Sequence, residues 1–189
     1  MDTGPLDRQE LLWVLRAQAG DRQALERLLG SALPPLRRYL RNLVGAADAD
    51  DVAQEVLVRV ARKLDGLEVP EAFRGWMLRI ASRAAFRHLK RTRRWREHAR
   101  DDAVLEGLPA REPPPAPELL ARLATIDGVS PASRAVLALH FQEQMTLPAI
   151  AAVLSIPLGT VKSRLAYGLA ALRARLGIID SRSEVRHED

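Results

Sequence analysis

An all-α fold in two parts is what the sequence predicts, on three observations. Aromatic residues make up only 4% of a chain that is 47% hydrophobic and rich in Ala, Leu and Arg, a composition suited to packed helices rather than sheets. Apolar residues recur at helical spacing in both halves. Between the halves, Arg100 to Glu118 loses that periodicity and crowds together Pro109, Pro113, Pro114, Pro115 and Pro117, which favours an extended connection. At 189 residues the chain can bury one or two modest cores.

Four helices are predicted in the first half. Glu10 to Ala19 places Leu11, Leu12 and Leu15 on one face. After Gly20, Asp21 can cap a longer helix with Leu25, Leu28, Leu29, Leu36 and Leu40, which Pro34 and Pro35 should bend or interrupt. Gly45 ends it and Asp48 begins the next, where Val52, Val56, Val60 and Leu64 repeat every four residues. The acidic start, Asp48, Asp50 and Asp51, complements the helix dipole. A loop, LDGLEVP, leads to a fourth helix from Glu71 that turns Phe73, Met77, Ile80, Ala84 and Leu89 inward. Its other faces carry Arg74, Arg79, Arg83, Arg87, Lys90, Arg91, Arg93 and Arg94.

The connection from Arg100 to Glu118 is either a linker or a surface loop within one domain; its length and proline density favour the linker. Extended at about 3.1 Å per residue it spans roughly 60 Å. In the second half, Ser130 followed by Pro131 is a helix start that leads into Ala135, Val136, Leu139 and Phe141. Thr146 caps the next helix, with Pro148 in its first turn. In SIPLG the proline and glycine supply a turn, and a helix from Thr160 to Arg175 follows with Val161, Leu165, Leu169, Leu172 and Leu176 in register. Two crossed helices can share Ile150, Val153, Leu154, Ile156, Val161 and Leu165 while Lys162, Ser163 and Arg164 face outward. That pattern is a helix-turn-helix, whose second helix enters the major groove by its start. The tail from Ile178 is polar and predicted to fray.

Charge points to a polyanion. The net charge of +5 conceals a local excess, since ten Lys or Arg residues between Glu71 and Arg100 face only Glu71 and Glu97. With no cysteine, a disulfide framework and a thiolate metal site are excluded, which fits a reducing compartment. No apolar run reaches eighteen residues and no signal-peptide core lies near Met1, so a cytoplasmic protein without membrane insertion is expected. Nothing calls for a cofactor or metal. The histidines His88, His98, His140 and His187 are scattered, HFQEQ is not HExxH, and GTVKS lacks the Gly-Lys pair of a phosphate loop, so an enzyme is not expected.

Two stretches in order carry a resemblance. DADDVAQEVLVRVARKL (Asp48 to Leu64) followed by FRGWMLRIASRAAFRHLKRTRR (Phe73 to Arg94) resembles domain 2 of bacterial sigma factors of the extracytoplasmic-function (ECF) group, in the sigma-70 family. SRAVLALHFQEQMTLPAIAAVLSIPLGTVKSRLAYGLAALRARL (Ser133 to Leu176) resembles domain 4 of the same group. The resemblance implies sigma domain 2 over residues 8–97, a flexible linker over 98–118, sigma domain 4 over 119–177 and a polar tail over 178–189. It implies a subunit that directs core RNA polymerase to promoters by two DNA elements and helps melt the DNA, with no covalent chemistry of its own.

Carried over residue by residue, the family's polymerase-docking helix falls on Asp48, Asp51, Gln54 and Glu55. The same acids also cap a helix, and the two roles are compatible. Contacts to the melted strand fall to Arg79, Arg83, Arg87, Lys90, Arg91, Arg93 and Arg94. Trp76 matches the family's core tryptophan, and Trp95, among arginines, is a stacking candidate. Duplex reading by the helix-turn-helix falls to Thr160, Lys162, Ser163, Arg164 and Tyr167, with the division of base and phosphate contacts between Lys162 and Arg164 left open. Family members are commonly held inactive by an anti-sigma factor, which no residue here identifies. The chain departs from the pattern where Arg83 and Arg87 replace an Asn and a later Asp, and where Ala149 replaces an acidic residue. It departs again where Ser155 replaces the turn glycine, a position that commonly needs positive φ. The competing reading is a helix-turn-helix regulator that binds an operator as a dimer; it leaves the DxxQE helix and the arginine-rich helix unexplained.

Overall fold

The computed structural model describes residues 7–92 and 128–176. The expected linker and tail, with Arg93, Arg94 and Trp95, lie outside them. Among the described residues there are seven α-helices and no strand: α1 (Arg8–Gln18), α2 (Arg22–Val44), α3 (Ala46–Lys63), α4 (Phe73–Arg91), α5 (Pro131–Leu137), α6 (Leu147–Leu154) and α7 (Leu158–Leu176).

The caps follow local chemistry. Asp7 and Asp21 accept backbone N–H bonds from Gln9 at 3.5 Å and Ala24 at 3.0 Å, opening α1 and α2. The Ala24 N–H and then the Arg16 guanidinium hold the Asp21 carboxyl below its ordinary range. Gly45, at φ 87°, ends α2 with its N–H on Arg41 O, and α3 follows at once. α3 therefore starts at Ala46 rather than Asp48, which sits in its first turn. Val52, Val56, Val60 and Leu64 are buried as the four-residue spacing predicts. The LDGLEVP stretch is two short 3₁₀ turns, Leu64–Gly66 and Pro70–Ala72, pinned by Gln18, whose Nε2 donates to Leu64 O and Leu67 O.

Two expectations are corrected. Pro34 and Pro35 lie inside one continuous helix, α2, and do not interrupt it. The cost of their missing N–H groups is offset by burial on both sides, at Leu28, Ala32, Leu36, Tyr39 and Leu40. In α1 the leucine face is not the buried one. Leu12 and Leu15 are 51% and 48% exposed, while Val14 and Ala17 are buried, small residues that let α1 approach α2 closely.

In α4, Phe73, Met77, Ala84 and Leu89 are buried as expected, with Leu78, Ala81 and Ala85 added. Ile80 is only partly buried. Across the same core the Tyr39 hydroxyl lies 2.7 Å from Ser82 Oγ. Ser82 gives its own proton to Leu78 O, so Tyr39 is the donor. Burial, above all, pushes the Tyr39 hydroxyl far above its ordinary pKa, against the Ser82 bond and with help from the Glu143 carboxylate.

The second unit starts as its sequence predicts. Ser130 accepts from Ser133 N–H at 3.2 Å with Pro131 at the first helical position. The chain then widens into a π-helical turn, Ala138–Gln142, closed by Glu143 N–H on Ala138 O. Thr146 caps α6 through Ala149 N–H. α6 and α7 meet at 105°, within the range of helix-turn-helix pairs. α7 starts at Leu158, earlier than Thr160, so Gly159 belongs to the helix and Pro157 alone precedes it. Gly168 lets α7 approach α5; a Cβ there would meet Leu137 Cδ1 at 2.7 Å.

The turn between α6 and α7 rests on Ser155, whose φ of 56° is left-handed, as the family's glycine at this position implied. Ile156 N–H closes on Ala151 O at 3.1 Å. A Cβ in that conformation costs about 1 to 2 kcal/mol, part of which glycine's freedom in the unfolded chain takes back. Ser155→Gly is therefore expected to raise the thermal midpoint by the equivalent of about 1 kcal/mol or less. A lowered midpoint in calorimetry would show that the serine is not strained.

The two units share a core. Ala135, Val136, Ala138, Leu139, Met145, Ala149, Ile150 and Val153 belong to one contiguous buried cluster with the core of α1 to α4. A second small cluster, Val129, Leu137 and Leu172, is private to the second unit.

Candidate polymerase and nucleic-acid interfaces

The acidic face of α3 is laced to its neighbours. Asp48 Oδ2 lies 3.1 Å from His88 Nε2, Asp50 pairs with Arg37 at 2.9 Å, and Glu55 Oε1 accepts from Arg59 at 2.9 Å and Arg87 at 3.2 Å. Asp51 and Gln54, one turn apart, are exposed on the same helix. The docking candidates are thus brought together as one surface. Glu55 shares its charge with two arginines, whereas Asp51 has no ion pair among the described residues.

The basic candidates on α4 divide by environment. Arg83, Arg87, Lys90 and Arg91 are exposed, though Arg87 leans back onto Glu55. Arg79 is turned toward the second unit: its Nη2 donates to Ala152 O in α6 at 2.8 Å and its Nε is buried without a hydrogen-bond partner among the described residues. Trp76 is partly buried against the core, tilted at 40° to Phe73 with centroids 6.2 Å apart, a packing role. It also lines a cleft of about 610 Å³ between the units, with Leu67, Glu71, Arg79, Met145 and Val153.

On α7, Lys162 is exposed in the first turns while Val161 is fully buried beneath it. Ser163 Oγ donates to Thr160 O at 3.1 Å. Arg164 is partly buried, and the Tyr167 hydroxyl donates to Gly128 O at 3.4 Å, so Tyr167 also ties α7 to the start of the unit. The start of α7 is therefore seated on buried Val161 with an exposed cation, Lys162, beside it. The contacts that sequence reading missed are Arg38 with Glu143 at 3.1 Å and Asn42 Nδ2 with Gln142 Oε1 at 2.8 Å. No local pattern marks partners about a hundred residues apart.

Among the described residues no group of three His, Asp or Glu side chains is arranged to hold a metal, and no single helix is long and apolar enough to cross a membrane.

Helices of this kind, ending in a helix-turn-helix, define a DNA-binding protein of the helix-turn-helix class. Comparison with known proteins gives the family. Residues 28–96 match Sigma-70 region 2 and residues 125–174 match Sigma-70, region 4. The ECF RNA polymerase sigma factor SigE of Mycolicibacterium smegmatis is 33% identical over 132 residues, 67% of this chain and 51% of that protein, so the chain spans about half of its length. The RNA polymerase sigma-H factor of Pseudomonas aeruginosa is 33% identical over 171 residues, 83% of this chain and 88% of that protein. Among solved structures, CnrH in complex with the cytosolic domain of CnrY superposes with a TM-score of 0.65 at 26% identity, covering 91% of this chain and 99% of CnrH. The chain belongs to the sigma-70 family of sigma factors, in its ECF group.

Proposed function

We propose that this chain docks on core RNA polymerase through the exposed face of α3 and carries it to promoters that it reads at two points. The observation that supports this most is the juxtaposition on one unit of an acidic face, Asp48, Asp51, Gln54 and Glu55, with an α4 surface bearing Arg83, Arg87, Lys90 and Arg91. Exposed carboxylates and an amide suit a basic partner helix, and the cations beside them suit the phosphates of a melted strand. Arg79 joins them once freed from α6, and Arg93 and Arg94 extend the run in sequence.

The second unit reads duplex DNA through the start of α7, at Thr160, Lys162, Ser163, Arg164 and Tyr167. Its contribution is recruitment: tethering two weak DNA contacts to one polymerase raises their effective concentration, and no bond is made or broken by this chain. Unstacked bases captured beside α4 supply about 1 to 3 kcal/mol each toward melting. It works without a cofactor, in the cytoplasm, and an anti-sigma factor is the partner of regulation. The operator-binding dimer is not favoured, because it gives the α3 face no role.

The test is co-elution of the purified chain with bacterial core RNA polymerase, then run-off transcription from a genomic promoter library. Stable association with promoter-selective transcripts is expected. Duplex binding by the chain alone, without association, would defeat the proposal.

A further inference from the structure

We infer that Leu158 is a specificity-determining residue of the second unit, one that reads the C5-methyl group of a thymine in the duplex promoter element. The inference rests on the reading of α7 proposed above and adds to it a residue and the base feature that residue selects. Leu158 is the first residue of α7 and is 40% exposed, alone among the described large hydrophobic side chains of the second unit in standing so far out. Its apolar neighbours go inward: Leu154, Ile156 and Leu165 pack against the shared core, and Val161 is fully buried in it. Leu158 belongs neither to the buried clusters nor to the partly buried residues packed on them. The fold of the unit therefore gives this side chain no task.

A single exposed leucine is ordinary on a protein surface, and what sets this one apart is where it stands. In a helix that enters the major groove by its start, the first residues are the ones that meet the base edges. Lys162 lies one turn further on, exposed on the same side of α7. With that cation on a phosphate at the edge of the groove, the helix carries Leu158 in ahead of it.

Gly159 makes the room that such a contact needs. It is exposed, and a Cβ added there would meet no atom within 4 Å, so packing inside the chain does not ask for glycine. Its φ is not among the positive ones either. Glycine weakens a helix relative to alanine, and what it offers in return at this position is a close approach of the backbone to an outside surface. A bare backbone beside a projecting hydrocarbon is suited to a groove that the helix must enter closely.

Chemistry selects the group that is read. Leucine neither donates nor accepts a hydrogen bond, so the donors and acceptors of the major groove are lost on it. The apolar group that the major groove does present is the thymine methyl, and cytosine carries only hydrogen at the same carbon. Pressed on a base edge without that methyl, the leucine would desolvate polar atoms and return nothing. The contact thus rewards thymine and penalises the other bases at one position. Burial of one methyl group is worth about fourfold in affinity.

The test uses the holoenzyme assembled from the full chain and core RNA polymerase, on a promoter duplex recovered from the run-off library. Each thymine of the distal element is replaced in turn by deoxyuridine, which keeps the base pairing and removes only the methyl group. At one position the wild type should lose about fourfold in affinity, and Leu158→Ala should lose about as much on the unmodified duplex. Leu158→Ala should then be indifferent to deoxyuridine at that position, a coupling that a general loss of stability does not produce. Leu158→Met keeps an apolar side chain and should keep the sensitivity. A distal element without thymine, a wild type insensitive to deoxyuridine at every position, or a Leu158→Ala variant as sensitive as the wild type overturns the assignment. Each of these leaves the duplex reading standing so long as the wild type prefers the recovered duplex to a scrambled one. Absence of that preference would defeat the duplex reading, and the role of Leu158 with it.

Discussion

Reversing both Asp51 and Glu55 to lysine is expected to lower affinity for core RNA polymerase by on the order of 100-fold, about 3 kcal/mol, while leaving the fold intact. The magnitude comes from replacing attraction with like-charge contact at a basic partner, an effect worth several kcal/mol where the charges are desolvated. The two positions are not equal. Glu55 already shares its charge with Arg59 at 2.9 Å and Arg87 at 3.2 Å, so part of its pull on a partner is spent within the chain. Asp51 has no ion pair among the described residues, so Asp51→Lys alone should account for most of the loss. The fold is insulated because the pairs given up are exposed ones, each worth under about 1 kcal/mol, and because Val52, Ala53 and Val56 remain buried beneath. Co-elution with core polymerase beside a thermal melt checks both halves. Unchanged co-elution would remove α3 from the docking surface.

What was legible in the sequence is what local chemistry decides. Asp21, Ser130 and Thr146 cap helices because a side-chain oxygen two or three residues before an unpaired N–H has one favourable use there, and Gly45 ends α2 because its φ of 87° excludes a Cβ. The valine ladder of α3 was read from spacing alone, and the left-handed Ser155 from the glycine it replaces. The errors lie where packing overrules propensity. Of the three leucines that share a face in α1, Leu12 and Leu15 are exposed and Leu11 is half-buried, while Val14 and Ala17 are the buried positions. Pro34 and Pro35 are expected from sequence to bend or interrupt the helix; α2 runs through them unbroken, with buried residues on either side. Of the candidate site, the sequence placed the residues on their helices but did not show their pairings. That Arg79 would meet Ala152 and Glu143 would meet Arg38 depends on how two units fold against each other, and nothing within either unit records it.

Removing both cations at the start of α7, Lys162→Ala with Arg164→Ala, is expected to weaken duplex promoter binding by about 3 kcal/mol, on the order of 100-fold. A thermal melt of the double variant separates lost binding from lost stability, since Arg164 is partly buried. Alanine has the higher helix propensity, and the residues that seat this helix are the buried Val161, Gly168 and Leu172, which stay. The single variants should separate two kinds of contact. Lys162 is exposed on a flexible stem, which suits a phosphate: its loss should weaken all sequences alike and reduce the slope of log affinity against log salt by about 0.9. Arg164 is partly buried, and a planar guanidinium suits a bidentate contact to guanine; its loss should cost about 1 to 3 kcal/mol on the preferred promoter and little on a promoter with that base changed. A salt titration on matched and base-substituted duplexes distinguishes the two. If Arg164→Ala shifts only the salt slope and Lys162→Ala relaxes the base preference, the two roles are exchanged. If neither variant changes binding, the start of α7 does not enter the groove, and the duplex is read elsewhere on the chain.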